Sequence, residues 1–313
     1  MYLTDQPMVL EVAYKTYLID FLGMGCGMLF VGDEKALLVD TGCGNTDIPA
    51  LIKKITDLPV ICAVTHEHGD HIGGIGQFER VYVPSLELET IQNTTETFLQ
   101  TFLDYFNSVV DEGDGTAGIF REVKTFVKWP YKPELIPITD GDSWNLGGRL
   151  VTARRCQVHS KGHMVFIDDR SRVMFAGDSI SDNTGPASNP MNPPTIVSLE
   201  DELKGLYNVK QYRGQYDCIW GGHADWGGHV GFMKSFDPGV LDRMITVGEG
   251  VLNQELEIFE ESGSHGTRNY AKKGQTTLFF FREYLHDEDL PKEYRYKDSG
   301  KRTFEQQESI PEI

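Results

Sequence analysis

The chain has 313 residues, 40% of them hydrophobic, and a formal net charge of −18. This composition supports one large domain or two small ones, and the acidic balance excludes nucleic acid and anionic membrane surfaces as expected partners, because both need a basic face. The five scattered cysteines form no CxxC pair, and neither a signal-peptide layout nor a long apolar run is present, so we expect a cytoplasmic protein without a membrane-spanning helix.

Short apolar strands are the first elements predicted. They cover 9–17, 18–22, 28–31 and 36–39. The last of these strands leads directly into Asp40 and Gly42. An aspartate at the carboxyl end of a strand often faces a functional site, although the same residue is also common in turns and helix caps. An amphipathic helix is predicted over 47–56.

The densest cluster of polar side chains follows the apolar run 60–64, which predicts a buried strand. His66, His68, Asp70 and His71 come directly after this run. Side chains two residues apart can point the same way as the chain leaves a strand. Imidazole nitrogen and carboxylate oxygen are zinc-type ligands, with bonds of about 2.0–2.2 Å. The stretch therefore predicts a metal site rather than a polar surface turn.

A helix with a broad apolar stripe is predicted over 94–110, with Thr94 or Thr95 as its cap. One interpretation of the stripe is core packing. The other is a lid over the metal site, carried by a helical insertion near 94–135. The acidic, glycine-rich stretch 111–118 predicts a mobile segment, which favours the lid. The candidate pocket residues are Tyr105, Phe106, Trp129 and Trp226.

Three more polar positions follow predicted strands in the second half of the chain. His159 lies in the stretch 157–163, which ends with His163. Asp178 follows a predicted hairpin and a glycine, and His223 follows a strand and two glycines. Taken singly, a glycine–aspartate pair at a strand end is more often a turn than a site.

Beyond these positions the chain is predicted to be mostly helical over 232–259, with an interruption around Gly248, and to close with a strand over 276–281. From 286 to 313 it is charged and broken by prolines, which predicts an extended or partly disordered tail. The expected organisation is one domain over 1–285, which carries the site, followed by this tail.

The spacing His66-x-His68-x-Asp70-His71 resembles the signature of the metallo-β-lactamase fold superfamily. Later positions match further motifs of that superfamily in the expected order. The matching positions are Asp40, His66, His68, Asp70, His71, His159, Asp178 and His223. The resemblance spans about 9–281 and implies an α/β fold, a four-layer αββα sandwich of two mixed β-sheets. The alternation of strands and helices agrees independently with an α/β layered fold.

The resemblance also implies a site for two divalent ions, about 3.5–4 Å apart. Zinc is expected first, with manganese or iron as alternatives. The implied ligands are His66, His68 and His159 for one ion and Asp70, His71 and His223 for the other, with Asp178 between them. Asp40 is implied to hold a ligand imidazole by a hydrogen bond, and His163 to lie behind the ligands or in the core. Val158 and Lys161 depart from the superfamily's usual glycine and proline beside His159.

Such a metal pair implies a hydrolase that uses a metal-bridging hydroxide, with Asp70 and Asp178 as catalytic carboxylates. Class B1 β-lactamases would place a cysteine where Asp178 stands. The chain therefore resembles best the glyoxalase II-like thioesterases and the lactonases. We expect a small ester, lactone or thioester as substrate.

Several alternatives to this function stay open. They are a mononuclear-iron sulfur dioxygenase on the same fold, a β-lactam or phosphodiester hydrolase, and a non-catalytic metal-binding protein. The expected partner is a small-molecule substrate, with neither nucleic acid nor a membrane, and a homodimer also stays open.

Overall fold

The computed structural model of the chain describes residues 7–21, 25–111, 126–186, 196–223, 234–263 and 266–292. The strands in this part of the chain are β1 (Met8–Ala13), β2 (Thr16–Asp20), β3 (Cys26–Val31), β4 (Ala36–Val39), β5 (Val60–Ala63), β6 (Arg80–Pro84), β7 (Glu134–Ile138), β8 (Ser143–Asn145), β9 (Leu150–Arg155), β10 (Met164–Asp168), β11 (Val173–Phe175), β12 (Asn183–Thr184), β13 (Cys218–Trp220), β14 (Phe259–Gly263), β15 (Gly266–Lys273) and β16 (Thr276–Phe280). The helices are α1 (Ile48–Ile52), α2 (Gly69–Ile72), α3 (Leu88–Asn93), α4 (Glu96–Asp111), α5 (Leu199–Lys210) and α6 (Gly239–Leu252).

Two large sheets are both mixed, as predicted. The first has seven strands in the order β1-β2-β3-β4-β5-β6-β7. It is antiparallel from β1 to β4 and parallel from β4 to β7. The second has five strands in the order β13-β11-β10-β9-β8, and only its β11–β13 pair is parallel. Parallel neighbours bring their carboxyl ends to one edge, and this arrangement places the polar loops of the chain together.

The two large sheets face each other across a buried core. Met28 and Phe30 of β3 pack there with Trp144 and Phe166 of the second sheet. The alternate residue Leu29 points to the opposite face, toward α1. Because successive side chains of a strand point to opposite faces, a strand covered on both faces is continuously apolar, as β3 is.

Helices cover the outer faces of both sheets. Ile48 and Leu51 of α1 pack on the first sheet. Leu203 of α5 and Met244 of α6 pack on the second sheet. The layers therefore run helix, sheet, sheet, helix, and the predicted αββα sandwich is confirmed.

A third sheet was not predicted. It has four strands in the order β12-β16-β15-β14 and lies beside α6. Its closing strand over Thr276–Phe280 was expected. The strands Phe259–Gly263 and Gly266–Lys273 carry mostly polar and charged side chains, so they lack the apolar alternation that identifies a half-buried strand.

The predicted break in the long C-terminal helix is wrong. Helix α6 runs without interruption through Gly248 and Gly250. A β-carbon on Gly248 would come within 2.8 Å of the Leu203 side chain. The glycine therefore allows close packing of α6 on α5, rather than ending the helix. The predicted helix over 47–56 is shorter than expected: it ends at Ile52.

The predicted helix over 94–110 is present as α4. Thr95 caps it, since its hydroxyl accepts a 3.2 Å hydrogen bond from the Phe98 amide. In the first half of α4, the side chains of Leu99, Phe102 and Leu103 are buried, so this half belongs to the core. The preceding helix α3 was missed.

The start of the predicted tail folds against α5. Asp287 accepts a 2.5 Å hydrogen bond from the Ser198 hydroxyl and also contacts Lys204. Leu290 is buried. The rest of the predicted tail, 293–313, lies outside the described residues. In the part of the chain that is described, no helix has both the length and the apolar character needed to cross a membrane.

Candidate metal centre

The candidate residues lie where strands end at one edge of the two large sheets. Asp40 follows β4 and His66 comes shortly after β5, its parallel neighbour. Asp178 comes shortly after β11 and His223 after β13, again a parallel pair. Each sheet therefore contributes side chains to the same polar cluster.

A first group of three imidazoles meets through its ring nitrogens. His66 Nε2 lies 2.9 Å from His68 Nδ1, and His159 Nε2 lies 3.0 Å from the same atom. All three residues are buried. A single Nδ1 can donate only one hydrogen bond, so these contacts cannot all be satisfied by hydrogen bonds among the three rings. The nitrogens are arranged as ligands around a common point would be.

A second group consists of Asp70, His71 and His223. His223 Nε2 lies 3.3 Å from Asp70 Oδ2, and His71 Nε2 lies 3.7 Å from it. Asp70 and His71 sit in the short helix α2, directly after the first group's histidines. This compact turn directs one imidazole and one carboxylate of the same segment to a second point.

Asp178 lies between the two groups. Its Oδ2 is 3.4 Å from His159 Nε2, 3.4 Å from His71 Nε2 and 3.3 Å from His223 Nε2. Its Oδ1 is buried and makes no hydrogen bond within the described structure. The same holds for His71 Nε2. The structure thus brings together all seven side chains that were named as ligands from the sequence. In each group the candidate ligand atoms lie within 4.8 Å of one another.

Asp40 supports the cluster from behind. Its Oδ2 lies 2.9 Å from His71 Nδ1, and its two oxygens accept hydrogen bonds from the amide and hydroxyl of Thr65. Asp40 has φ +68°, in the left-handed region. That conformation is uncommon for a residue other than glycine, and the three hydrogen bonds of the carboxylate offset its cost. A carboxylate in such a contact can orient an imidazole, and the predicted role of Asp40 behind a metal ligand stays a prediction.

Two further contacts orient the remaining histidines. His159 Nδ1 lies 3.0 Å from the carbonyl of Gly185. His163 Nε2 accepts a 3.1 Å hydrogen bond from the Asp178 amide, and its ring stacks on His66 with centroids 4.7 Å apart. His163 therefore lies behind the first group, in contact with Asp178 and His66.

The two groups differ in charge. Burial, followed by repulsion from His159, lowers the pKa of His68 to about 3. Burial also acts to lower the pKa of His223, but the carboxylates of Asp178 and Asp70 outweigh it and raise that pKa to about 10. Burial raises the pKa of Asp178, whereas the neighbouring His71 and His223 lower it more, well below the usual range. The first group consequently holds neutral imidazoles, the form that binds a metal ion.

Of the four predicted pocket residues, the structure describes the side chain of Trp129. Trp129 packs over Gly76, and its indole N–H donates a 2.9 Å hydrogen bond to the Gly73 carbonyl. It therefore packs against the turns that follow His71. The side chains of Tyr105 and Phe106, and the whole of Trp226, lie outside the described residues. Their predicted role in a pocket stays a prediction.

Sequence reasoning missed Thr65 and Gly185. The Thr65 hydroxyl joins Asp40 to His66 Nδ1, 2.9 Å away. Its position just before the first histidine was the only available signal. Gly185 acts through its carbonyl, which no side-chain pattern can identify.

Cys43 lies near the cluster without the properties of a nucleophile. It is buried, and burial together with the charge of Asp70 raises the pKa of its thiol well above the usual value. A thiol of this kind stays protonated at neutral pH and is unreactive.

The chain belongs to the metallo-beta-lactamase superfamily. The family model of that description matches residues 25–214, which is more than half of the chain. That region contains every candidate side chain of the cluster except His223.

Two of the similar proteins, both named as thioesterases, illustrate the comparison. Human acyl-coenzyme A thioesterase MBLAC2 is 28% identical over 165 residues, which cover 49% of this chain and 57% of that protein. The atrochrysone carboxyl ACP thioesterase of Aspergillus fumigatus is 24% identical over 281 residues, which cover 88% of this chain and 54% of that protein. The chain thus spans about half the length of these relatives.

Among solved structures, a metallo-beta-lactamase from Pontibacter korlensis is similar with a TM-score of 0.51 and 15% sequence identity, over 78% of this chain and 99% of that one. At this level of identity the likeness supports the fold alone.

Proposed function

We propose that this protein is a metal-dependent hydrolase that cleaves thioesters of acyl groups. The observation that carries the proposal is the pair of buried side-chain groups, His66, His68 and His159 on one side and Asp70, His71 and His223 on the other, with Asp178 between them. A buried cluster of this composition has few uses other than holding cations, because it concentrates ligand atoms and leaves several of them without hydrogen bonds.

The donor set fits two divalent ions of the zinc type. Imidazole nitrogens and carboxylate oxygens are the ligands that zinc takes in catalytic sites, and in the second group a cation would take the place of the proton that Asp178 and Asp70 favour on His223. His68 Nε2 points away from the first group, so His68 would bind through Nδ1, and His66 and His159 would bind through Nε2. Such ions would lower the pKa of a bound water to about 7 and would polarise a carbonyl oxygen. The identity of the native metal as zinc and the count of two ions per chain are both parts of the proposal.

The chain's own residues supply orientation and charge. Asp178, in contact with imidazoles of both groups, keeps them at a fixed separation. Asp70 presents a carboxylate oxygen that can orient the attacking water or accept its proton. Asp40 and Gly185 hold the rings of His71 and His159 through their other nitrogens. This prevents the rings from turning as charge develops at the reacting carbon.

A thioester suits this site because its leaving group is a thiolate. The pKa of an ordinary thiol is about 8.5, so the carbon–sulfur bond can break without a strong general acid beside it. Both relatives described above are named for thioester hydrolysis, one on acyl-coenzyme A and the other on an acyl carrier protein. We therefore place acyl thioesters ahead of lactones and simple esters.

The test combines metal analysis with a substrate panel. Purified protein should contain close to two ions per chain, and acyl-coenzyme A hydrolysis should release free thiol. Chelation should abolish the reaction, and zinc, manganese or iron should restore it to different extents. The panel should include a homoserine lactone, a β-lactam and a phosphodiester, with His66→Ala as the inactive control.

Turnover of a lactone, a β-lactam or a phosphodiester without thioester turnover would overturn the substrate assignment. A single iron per chain, with oxygen consumption on a persulfide, would replace hydrolysis by a sulfur dioxygenase activity.

A further inference from the structure

A buried carboxylate outside the metal centre lies behind two of its loops. Glu87 follows β6 and directly precedes α3, and it is only 2% exposed. It belongs to neither group of candidate ligands. Carboxylates are rarely buried without a specific set of partners, so the contacts of Glu87 indicate what it does.

One oxygen of Glu87 holds the loop that carries His159. Glu87 Oε1 accepts a 2.7 Å hydrogen bond from the Gly162 amide and a short one from the Ser160 hydroxyl. Both donors lie within the His159 loop, which we define as residues 156–163. Ser160 is completely buried, so water does not compete for its hydroxyl.

The contact between Glu87 and this loop is close as well as polar. A β-carbon on Gly162 would come within 2.7 Å of Glu87 Cγ, so only glycine allows the loop to approach the carboxylate in this way. The segment Ser160-Lys161-Gly162 contains no proline that would limit its backbone. The two hydrogen bonds to Glu87 therefore supply a restraint that the local sequence lacks.

The turn that carries Glu87 is anchored beside the segment that leads to the first two histidines. Strand β6 pairs in parallel with β5, which leads to His66, and the Val64 amide donates a 3.0 Å hydrogen bond to the Tyr82 carbonyl of β6. The Glu87 amide donates a 3.0 Å hydrogen bond to the Pro84 carbonyl at the end of β6. Burial, followed by the charge of the nearby Glu67 carboxylate, raises the pKa of Glu87 to about 8. Glu87 thus joins the His159 loop to the strand pair from which His66 and His68 emerge.

We propose that Glu87 is a positioning residue, which fixes the His159 loop relative to His66 and His68 and so sets the geometry of the first metal-binding group. The inference rests on the proposed metal site, but not on the thioesterase activity. A loop displaced by 1 Å would move His159 Nε2 out of bonding range, because zinc–nitrogen bonds vary by only about 0.2 Å.

Two substitutions separate this role from a general effect on folding. Glu87→Gln keeps a carbonyl oxygen that can accept both hydrogen bonds, whereas Glu87→Met has similar length and no such acceptor. Zinc affinity should be measured by competition with a chromophoric chelator. We expect Glu87→Met to weaken binding by about 10–100-fold, as removal of groups that orient ligands does. Glu87→Gln should stay within about threefold of the wild type, since its accepted hydrogen bonds remain.

The loss of zinc affinity in Glu87→Met should depend on the presence of His159. In a double-mutant cycle, Glu87→Met added to His159→Ala should weaken zinc binding by much less than Glu87→Met alone. A purely structural role would give additive losses. Because the readout is zinc binding, absence of thioester turnover would not affect the outcome.

A further variant keeps the proposal testable if Glu87→Met does not fold, as judged by circular dichroism. Ser160→Ala removes one of the two donors and leaves the acid in place, and it should weaken zinc binding by several-fold. Wild-type zinc affinity in Ser160→Ala, or in a folded Glu87→Met, would overturn the proposal. Equal losses in Glu87→Gln and Glu87→Met would also overturn it, because they would show that charge rather than hydrogen-bond acceptance matters.

Discussion

Two buried aspartates illustrate how position, rather than residue type, sets a role. Asp40 contacts His71 through the nitrogen that faces away from the cluster, whereas Asp178 contacts the nitrogens that face into it. The sequence indicated Asp40 from its place at the end of a strand, and Asp178 from the resemblance. Thr65 and Glu87 could not be predicted, because their hydrogen bonds join segments that only the tertiary fold brings together.

Asp178→Asn tests the role of the central carboxylate. The amide keeps the shape but removes the negative charge and a strong oxygen ligand. We expect the protein to bind about one ion fewer and turnover to fall by orders of magnitude, while circular dichroism stays unchanged, because Asp178 lies at a strand end. Asp57→Asn, at a solvent-exposed site paired with Lys53, serves as the matched control. Retention of two ions with near-native turnover would contradict the assignment of Asp178.

A second residue-scale prediction concerns the buried ion pair of Arg149 and Asp168. The guanidinium donates hydrogen bonds of 2.9 and 2.8 Å to the two oxygens of Asp168. Burial alone would raise the pKa of Asp168, but these bonds and that from Ser171 outweigh it, and the pKa is lowered. A lowered pKa in the folded state stabilises the protein above the unfolded value of about 3.9, and this stabilisation is lost as the pH falls through the folded value.

Urea denaturation across pH 2–6 measures this contribution of Asp168. The wild type should lose stability as the pH falls below about 4, and Asp168→Asn should show a shallower dependence over the same range. Asp168→Asn should also be less stable at pH 7 by about 3–5 kcal/mol, because it leaves a buried cation without its partner. Identical pH slopes in the two proteins would show that Asp168 has no lowered pKa.

At the scale of elements, helix α4 connects core packing with the metal centre. The ring of Phe102 lies over Gly69, where a β-carbon would come within 2.9 Å of it. Gly69 separates His68 from Asp70 in the sequence. In the described half of α4 the predicted apolar stripe is buried, but a stripe shows only that a helix face is covered. It does not show whether a core or a substrate covers that face.

Phe102→Ala distinguishes these two possibilities for the described half of α4. We expect a loss of about 3–5 kcal/mol in the free energy of unfolding, as for other buried phenylalanines, with substrate preference unchanged. Phe98→Ala, one turn earlier and only half-buried, should cost less. Denaturation and kinetics on the same proteins provide the measurement. A change in KM or selectivity with native stability would instead identify Phe102 as part of a lid.

At the scale of the whole molecule, the cluster depends on both large sheets and, through Gly185, on the third. Gly185 follows β12, which pairs with β16 of that sheet. The two large sheets were predictable because their strands are apolar. The third was not predictable, because β14 and β15 are polar and are held by their pairing with each other and by the contact of β15 with α6.

Metal removal should therefore destabilise the entire fold. A ligand that binds only the native state stabilises it by about 4 kcal/mol when present at a thousand times its dissociation constant. We expect chelation to lower the unfolding temperature, and added zinc to restore it. His223→Ala should reduce this change in unfolding temperature, because that side chain connects the second sheet to the cluster. An unfolding temperature indifferent to chelator would argue against bound metal in the native protein.

The ligands are spread unevenly along the chain, and this affects the order in which they become available during synthesis. A ribosome releases His66 to His71 as one segment, and His223 follows roughly 150 residues later, about 8–30 s at ordinary rates of translation. In that interval the nascent polypeptide exposes histidines that can capture a cation before the fold exists. Capture by unfolded chain weakens the stabilisation that the ion gives to the native protein. We therefore expect refolding of the purified protein in the presence of zinc to be slower than refolding followed by the addition of zinc.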